Sequence, residues 1–428
     1  MIFATEAMRR ASNAARMLEA IAQATDGLGV NILEPSVETL FGAVMGSRSG
    51  LVNVHNGAMF LDLGGGSVQM TWVDTSLDEY EIQAATAGIS MPFGAAKLTR
   101  ILEQNDSALH ETEISNLRSL MQNAYNNLCQ AFPKLQAIRA AHERGEDASI
   151  DVYMCGGGFR GYGSMLMHHD STTPYPIPSI GTYTVDAAAF KRTAELRAAN
   201  QDYDVKVFGM SRRRRQQFHA ISTVVESFIT TVPNIRQVTF CKGSNRDGAL
   251  MMMLPREIRE SNPLDVVADV DSRDKEFLDA VAHILMQAIP KGVDLTDIPT
   301  VLSNGLQTLF TQQIWDRAGL EADTNASYAL HHAISRDSHA PGLTHTARAA
   351  LGLTLTARWA TSFCPADAHL ARGLRSILKR QHADAVFWAQ YIGAISRILV
   401  TICPVRPQDI QQLKTVIKYV SLLSPSHV

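Results

Sequence analysis

The chain is poor in paired cysteine. Its five cysteines, Cys129, Cys155, Cys241, Cys364 and Cys403, show no CxxC spacing, so neither a zinc site nor a disulfide framework is encoded, and a reducing compartment suits it. It also lacks a large charge of either sign. Thirty-nine Lys and Arg against 42 Asp and Glu leave a formal −3, which gives no electrostatic argument for nucleic acid or an anionic membrane as partner. No basic N-terminal region precedes an apolar run, and no uninterrupted apolar stretch reaches spanning length. Neither a signal peptide nor a membrane anchor is expected, and the cytoplasm is the default location. At 428 residues, 46% hydrophobic and 19% charged, the sequence suits a globular protein of two or three domains.

What the sequence does have is glycine where strands end. Met59, Phe60 and Leu61 lead to Asp62, the run Gly64-Gly65-Gly66-Ser67 follows, and an alternation resumes with Val68, Met70 and Trp72 against Gln69 and Thr71. This reads as strand, tight turn, strand. Glycines let backbone N–H groups approach an anion, and a carboxylate at a strand end can hold a hydrated divalent cation, so the pairing suggests phosphate with Mg²⁺. A plain hairpin is the competing reading. Upstream, Met1–Ala7 opens on strand-like residues, Met8–Ala24 has helical spacing, Gly29–Leu33 is a short strand and Ser36–Met45 a helix. The order β-α-β-α-β-turn-β is an α/β pattern.

Ala4-Thr5-Glu6-Ala7-Met8-Arg9-Arg10-Ala11-Ser12-Asn13, Val37-Glu38, Asp62–Ser67, Met91–Ala95, Met154–Arg160 and Cys241–Gly248 together resemble the Ppx/GppA family of exopolyphosphatases and guanosine pentaphosphate phosphohydrolases. The likeness spans about residues 1–255. Gly158–Gly163, Pro174–Ile177 and Gln69 are most similar to the fungal branch of retrograde-response regulators. The resemblance implies an actin/Hsp70-like, ribonuclease H-like two-lobed ATPase fold acting on polyphosphate or a purine nucleotide. It makes Glu38 the general base, where spacing alone would leave a lone helical carboxylate as a solvated surface group. Asp62 would bind Mg²⁺, and Gly64, Gly65, Gly66 and Ser67 would hold phosphate oxygens. Val37 stands where the family often has a second glutamate, and Gln69 where the bacterial enzymes carry one. Each departure removes a negative charge beside the metal.

A second strand, Ile150–Cys155, runs into Gly156, Gly157 and Gly158, read as a glycine turn that either contacts the phosphate chain or is structural. Ser211–Gln217 holds four consecutive arginines, which suit a polyanion, a nuclear-localisation signal or a solvated helix start. The resemblance picks Arg214 as a phosphate ligand. Gly243–Gly248 reads as a third turn.

The expected plan is a first lobe over 1–95, a second over 96–255 and an all-α domain over 256–428, with helices at Phe277–Ile289, Thr311–Ala318, Ala347–Ser362, Ala368–Lys379, Ala383–Val400 and Ile410–Val420. His331, His332, Asp337 and His339 give no clear His–Asp metal pair. The family's first phosphate hairpin, of Asp-x-Gly-Ser-Asn-Ser type, has no counterpart upstream of Ala4, so an incomplete first lobe is expected. Two functions follow: metal-assisted attack of a Glu38-oriented water on a terminal phosphoryl group, or a non-catalytic nucleotide- or polyphosphate-binding regulator whose C-terminal helices meet a signalling partner. A homodimer is left open.

Overall fold

The structure is a computed structural model, and it describes residues 2–25, 27–48, 53–202, 205–303, 305–317, 322–336, 341–359 and 363–414. The chain divides into two compact units, Met1–Asp170 with Ser179–Glu260, and Ser171–Pro178 with Ser261–Val428.

In the first unit, β1 (Ile2–Ala4) and β2 (Val30–Ile32) form a separate parallel pair, with Ile2 opposite Val30. The main sheet contains β3 (Ala58–Leu63), β4 (Val68–Val73), β5 (Ile89–Met91), β6 (Ile150–Cys155), β7 (Tyr183–Asp186) and β8 (Ile235–Phe240) in the order β5-β4-β3-β6-β8-β7. β3 and β4 are buried along their whole length, as their near-continuous apolar sequence requires. β3 is antiparallel to β4 and parallel to β6, which sets Asp62 opposite both Gln69 and Cys155.

This sheet corrects the expected division at residue 95. β3, β4 and β5 lie before it and β6, β7 and β8 after it, yet one ladder joins them through the β3–β6 pairing.

A second correction concerns Gly156–Gly158. They open the helix Gly156–His168 instead of forming a turn. Gly156, at φ +86°, redirects the chain out of β6, and a Cβ on Gly158 would lie 2.5 Å from Leu63 Cδ2. The glycines let the helix start close against β3. The expected helix at Ser36–Met45 begins as Pro35–Thr39 and continues as a π-helical stretch, Leu40–Gly46, packed against the helix Asn245–Met253.

The second unit is helical among its described residues, with helices at Pro263–Ala268, Ser272–Gln287, Gln307–Gln313, Ala322–Ser335, His345–Trp359, Pro365–Gln381 and Ala385–Ile402. Leu309, Phe310, Leu351, Leu374, Ala389 and Ile392 are in its core. Arg348 is buried there. Its Nη1 donates to Ala333 O, Ile334 O and Arg336 O at 3.1, 3.2 and 2.6 Å, and its Nε to Leu343 O at 3.2 Å, closing the C-terminus of Ala322–Ser335. Ala385–Ile402, although interrupted by Gln390, Ser396 and Arg397, is long and apolar enough to cross a membrane by length and composition. Trp388, Ala389, Ile392, Gly393, Ser396 and Leu399 form a buried stripe on it. A Cβ on Gly393 would lie 2.4 Å from Thr354 O, so this helix packs closely on His345–Trp359, as a core helix does. Most of the expected Ile410–Val420 helix lies outside the described residues.

Candidate functional site

Asp62, next to the last residue of β3, lies in a cage whose walls are glycines. A Cβ on Gly156 would lie 2.1 Å from Asp62 Oδ1, and one on Gly42 would lie 2.3 Å from Oδ2 and 2.4 Å from Asn245 Oδ1. The Asn245 oxygen is itself buried without a hydrogen bond. Cys155 donates its thiol to Gly42 O at 3.1 Å. Burial pushes the Asp62 carboxyl up to about 6. Glu38 adds to the rise, while Arg160 and the Cys155 thiol oppose it.

The Gly64–Ser67 turn is held from outside. Gly64 N–H donates to Ser67 O at 3.0 Å, while the first amides of the helix Ala95–Leu102 reach back to it: Ala95 N–H to Gly64 O at 2.9 Å, and Ala96 and Lys97 N–H to Gly65 O at 3.0 and 3.1 Å. A Cβ on Gly94 would lie 2.3 Å from Gly65 C, so this close seating needs glycine.

Glu38, in the Pro35–Thr39 helix, is buried. Its Oε2 accepts from Arg9 Nη2 at 2.7 Å and its Oε1 from Ser67 Oγ at 3.4 Å. Gln69 Nε2 donates to Ser67 Oγ at 2.7 Å and to Ser90 Oγ at 3.1 Å. The neutral amide thus fixes the Ser67 hydroxyl with its proton toward Glu38. Glu6 stands against the turn: a Cβ on Gly66 would lie 1.9 Å from Glu6 Oε2, and Arg10 pairs with Glu6 Oε1 at 3.4 Å.

The structure therefore gathers Glu38, Asp62, Gly64, Gly65, Gly66, Ser67 and Gly156 around the β3–β4 turn, with Gly157 and Gly158 in the adjoining helix start. Arg214 joins less directly. Its Nη1 donates to Gly209 O at 2.7 Å, and its stem lies 3.6 Å from where a Cβ on Gly161 would be. Burial and the nearby Arg160 lower its pKa. Arg160 donates to Lys242 O and Gly243 O at 2.9 and 3.1 Å. Gly243 leads into a Ser244–Asp247 capping box that opens Asn245–Met253, so the third turn is also a helix start.

Glu6, Arg9, Gly42, Cys155, Arg160 and Asn245 were not singled out as site residues from the sequence. For Glu6, Arg9, Cys155, Arg160 and Asn245 the available signal was their place inside the motif stretches. Among the described residues no group of three or more His, Cys, Asp or Glu side chains is placed to hold a metal. Mg²⁺ commonly takes one or two carboxylates plus substrate phosphates, and Asp62, which makes no salt bridge to Lys or Arg among the described residues, fits that role better than Glu38, which Arg9 engages. In the second unit His331 Nε2 does meet Asp367 Oδ1 at 2.8 Å, a His–Asp pair the sequence had not revealed. Asp337 and His339 lie outside the described residues.

Residues 1–257 match the Ppx/GppA phosphatase family, and residues 262–420 match the RTG2 C-terminal domain. Retrograde regulation protein 2 of Saccharomyces cerevisiae is 27% identical over 420 residues, covering 95% of this chain and 67% of that protein. Among solved structures, an exopolyphosphatase from Cytophaga hutchinsonii is similar at 17% identity and a TM-score of 0.42, over 59% of this chain and 73% of that one. The Aquifex aeolicus Ppx/GppA phosphatase, type II variant, is similar at 16% identity and a TM-score of 0.39, over 58% and 73%. With 1–257 matched and the Asp62 turn in place, the chain belongs to the Ppx/GppA phosphatase family.

Proposed function

We propose that this chain binds the phosphates of polyphosphate or a purine nucleotide at Asp62, the Gly64–Ser67 turn and the start of the Gly156–His168 helix, and acts as a regulator that does not hydrolyse them. The observation that carries this reading is the state of Glu38. It is buried, and each of its carboxylate oxygens already has a partner, Arg9 on one and the Ser67 hydroxyl on the other. A general base must reach the proton it removes, directly or through one water. Gln69 supports the same reading by occupying Ser67 Oγ with an amide. The likeness to a protein named Retrograde regulation protein 2, across both matched regions, supports a regulatory role whose signalling partner is met by the C-terminal helices. Mg²⁺, held by Asp62 and phosphate oxygens, would neutralise ligand charge.

The hydrolytic reading has one observation in its favour: Glu38 lies near enough to Asp62 to raise its pKa, as two carboxylates sharing a phosphate and metal site would. Calorimetry and phosphate-release assays on the full chain with long-chain polyphosphate, ATP and GTP, each with Mg²⁺, separate the two. Saturable binding weakened by Asp62→Asn, with no phosphate released, is expected. Release that Glu38→Gln abolishes would establish the hydrolase instead, and absence of binding to all three would overturn both.

A further inference from the structure

Two stretches of chain lead away from the Asp62 cage and meet again at a buried cluster of charges. The first is the π-helical Leu40–Gly46, in which Gly42 walls both the Asp62 carboxylate and the Asn245 side chain. π-Helix is rare and concentrates at functional sites. The second is the helix Asn245–Met253, which continues through Pro255 into the short helix Arg256–Arg259. The two are seated tightly on each other: a Cβ on Gly46 would lie 3.1 Å from Ser244 O, and one on Gly248 would lie 1.9 Å from Phe41 O.

Arg48 stands two residues beyond the first stretch and Glu260 one residue beyond the second. Arg48 Nη2 donates to Glu260 Oε2, and its Cζ lies 5.2 Å from the centre of the Tyr80 ring, whose hydroxyl donates to Glu260 Oε1 at 2.8 Å. Arg259 joins them, with Nη2 2.5 Å from Glu81 Oε1 and Nε 3.6 Å from Glu260 Oε1. Burial pushes the Tyr80 hydroxyl well above its ordinary range; Arg48 opposes the rise, and Glu260 and Glu81 add to it. Four charges thus surround one ring, and they are incompletely paired. The Arg48 side chain is 1% exposed, yet its Nε and Nη1 have no acceptor among the described residues, and Glu81 Oε2 has no donor. Unmet groups of this kind are costly to bury. Glu260, at 29%, is the member most open to solvent, so its contact is the one most readily exchanged.

We propose that the Arg48–Glu260 contact is a latch coupled to the phosphate site: a ligand at Asp62 holds it closed, and opening it frees Glu260 to solvent and turns Arg48 toward Glu81 Oε2. Glu260 is the last residue of the first unit and Ser261 begins a stretch of the second. The latch therefore lies on the chain link by which occupancy of the site is passed to the helical unit. This inference rests on the binding proposed above and names how that binding is relayed. By linkage, what opens the latch must weaken the ligand by the same factor.

The test is hydrogen exchange of the full chain, read by mass spectrometry with and without saturating long-chain polyphosphate and Mg²⁺, with calorimetry on the same samples. Ligand should slow exchange of the Arg256–Ala268 amides at least about fivefold, the low end of site-to-site coupling. Glu260→Gln should weaken binding by a similar factor and abolish the slowing, and the gentler Tyr80→Phe should act in the same direction. Lys134→Met, which breaks the bridge to Asp74 away from both stretches, should change neither. Binding with exchange at 256–268 unaltered, or an affinity that Glu260→Gln leaves untouched or that Lys134→Met lowers as much, overturns the latch alone. Absence of binding overturns the latch together with the binding reading.

Discussion

Replacing Arg9 with methionine isolates the interaction on which the regulatory reading depends. Side-chain exposures of 18% for Arg9 and 7% for Glu38 make their 2.7 Å contact a largely buried ion pair. Removing one partner of a buried pair costs about 3–5 kcal/mol because the other charge is left unpaired. The partial exposure of Arg9 and the surviving Ser67 contact reduce the expected loss to about 2–3 kcal/mol. A unit of this size loses about 2–4 °C in melting temperature per kcal/mol, so Arg9→Met should melt about 4–12 °C lower. Glu38→Gln strands the arginine instead, and the double variant should recover at least about 1.5 kcal/mol relative to the sum of the single losses. Arg9 also donates to Leu33 O. That bond is lost in the single Arg9 variant and in the double variant alike, so it cancels from the coupling. Urea denaturation of the four proteins gives the cycle, and phosphate release from polyphosphate by the same samples shows whether freeing Glu38 starts hydrolysis. A loss below about 0.5 kcal/mol with coupling near zero would refute the claim that Arg9 holds Glu38.

Gly156→Ala combines a positive φ with a Cβ 2.1 Å from Asp62 Oδ1, and should cost at least about 2–3 kcal/mol in chemical denaturation. Asp62 has a folded pKa of about 6 against an ordinary 3.8, so the folded state holds its proton more tightly. Its contribution is full below pH 3.8 and is lost as pH rises through 6; at 1.36 kcal/mol per pKa unit the change is at most about 3 kcal/mol, and Asp62→Asn should flatten that part of the stability–pH profile. Arg348→Met leaves the carbonyls of Ala333, Ile334, Arg336 and Leu343 without its donors and should destabilise the helical unit by about 2–4 kcal/mol, seen as an earlier melting transition.

The strands that carry Asp62 and Cys155 were legible because apolar runs bounded by glycine have few other readings, and the long C-terminal helices because their apolar period is sustained. Ala322–Ser335 escaped notice, since its Ala, Ser, Asn and His residues give a weak stripe. The glycines at 156–158 were visible as special, but their purpose depends on Leu63 and Asp62 in another strand. The same limit hid the partners of the site residues. Arg9 and Glu38 are 29 positions apart, and His331 and Asp367 are 36 apart. No local periodicity encodes such pairs; sheet register and helix seating do.

Packing also decides what the glycine turn can offer a ligand. In a trans peptide the C=O and the next N–H point in opposite directions. Gly64 O and Gly65 O both face the start of Ala95–Leu102 and accept its amides, so the N–H groups of Gly65 and Gly66 point away from that helix. Neither N–H makes a backbone hydrogen bond among the described residues. The helix start, an anion site in its own right elsewhere, is used here to orient the turn, so in the proposed binding the donors left to a phosphate would be the two glycine amides. Glu6 stands against Gly66, and Glu38 holds the Ser67 hydroxyl. In the proposed binding, a phosphate at this turn would meet two oriented donors and two carboxylates, and a ligand that brings a cation with it would suit that balance best.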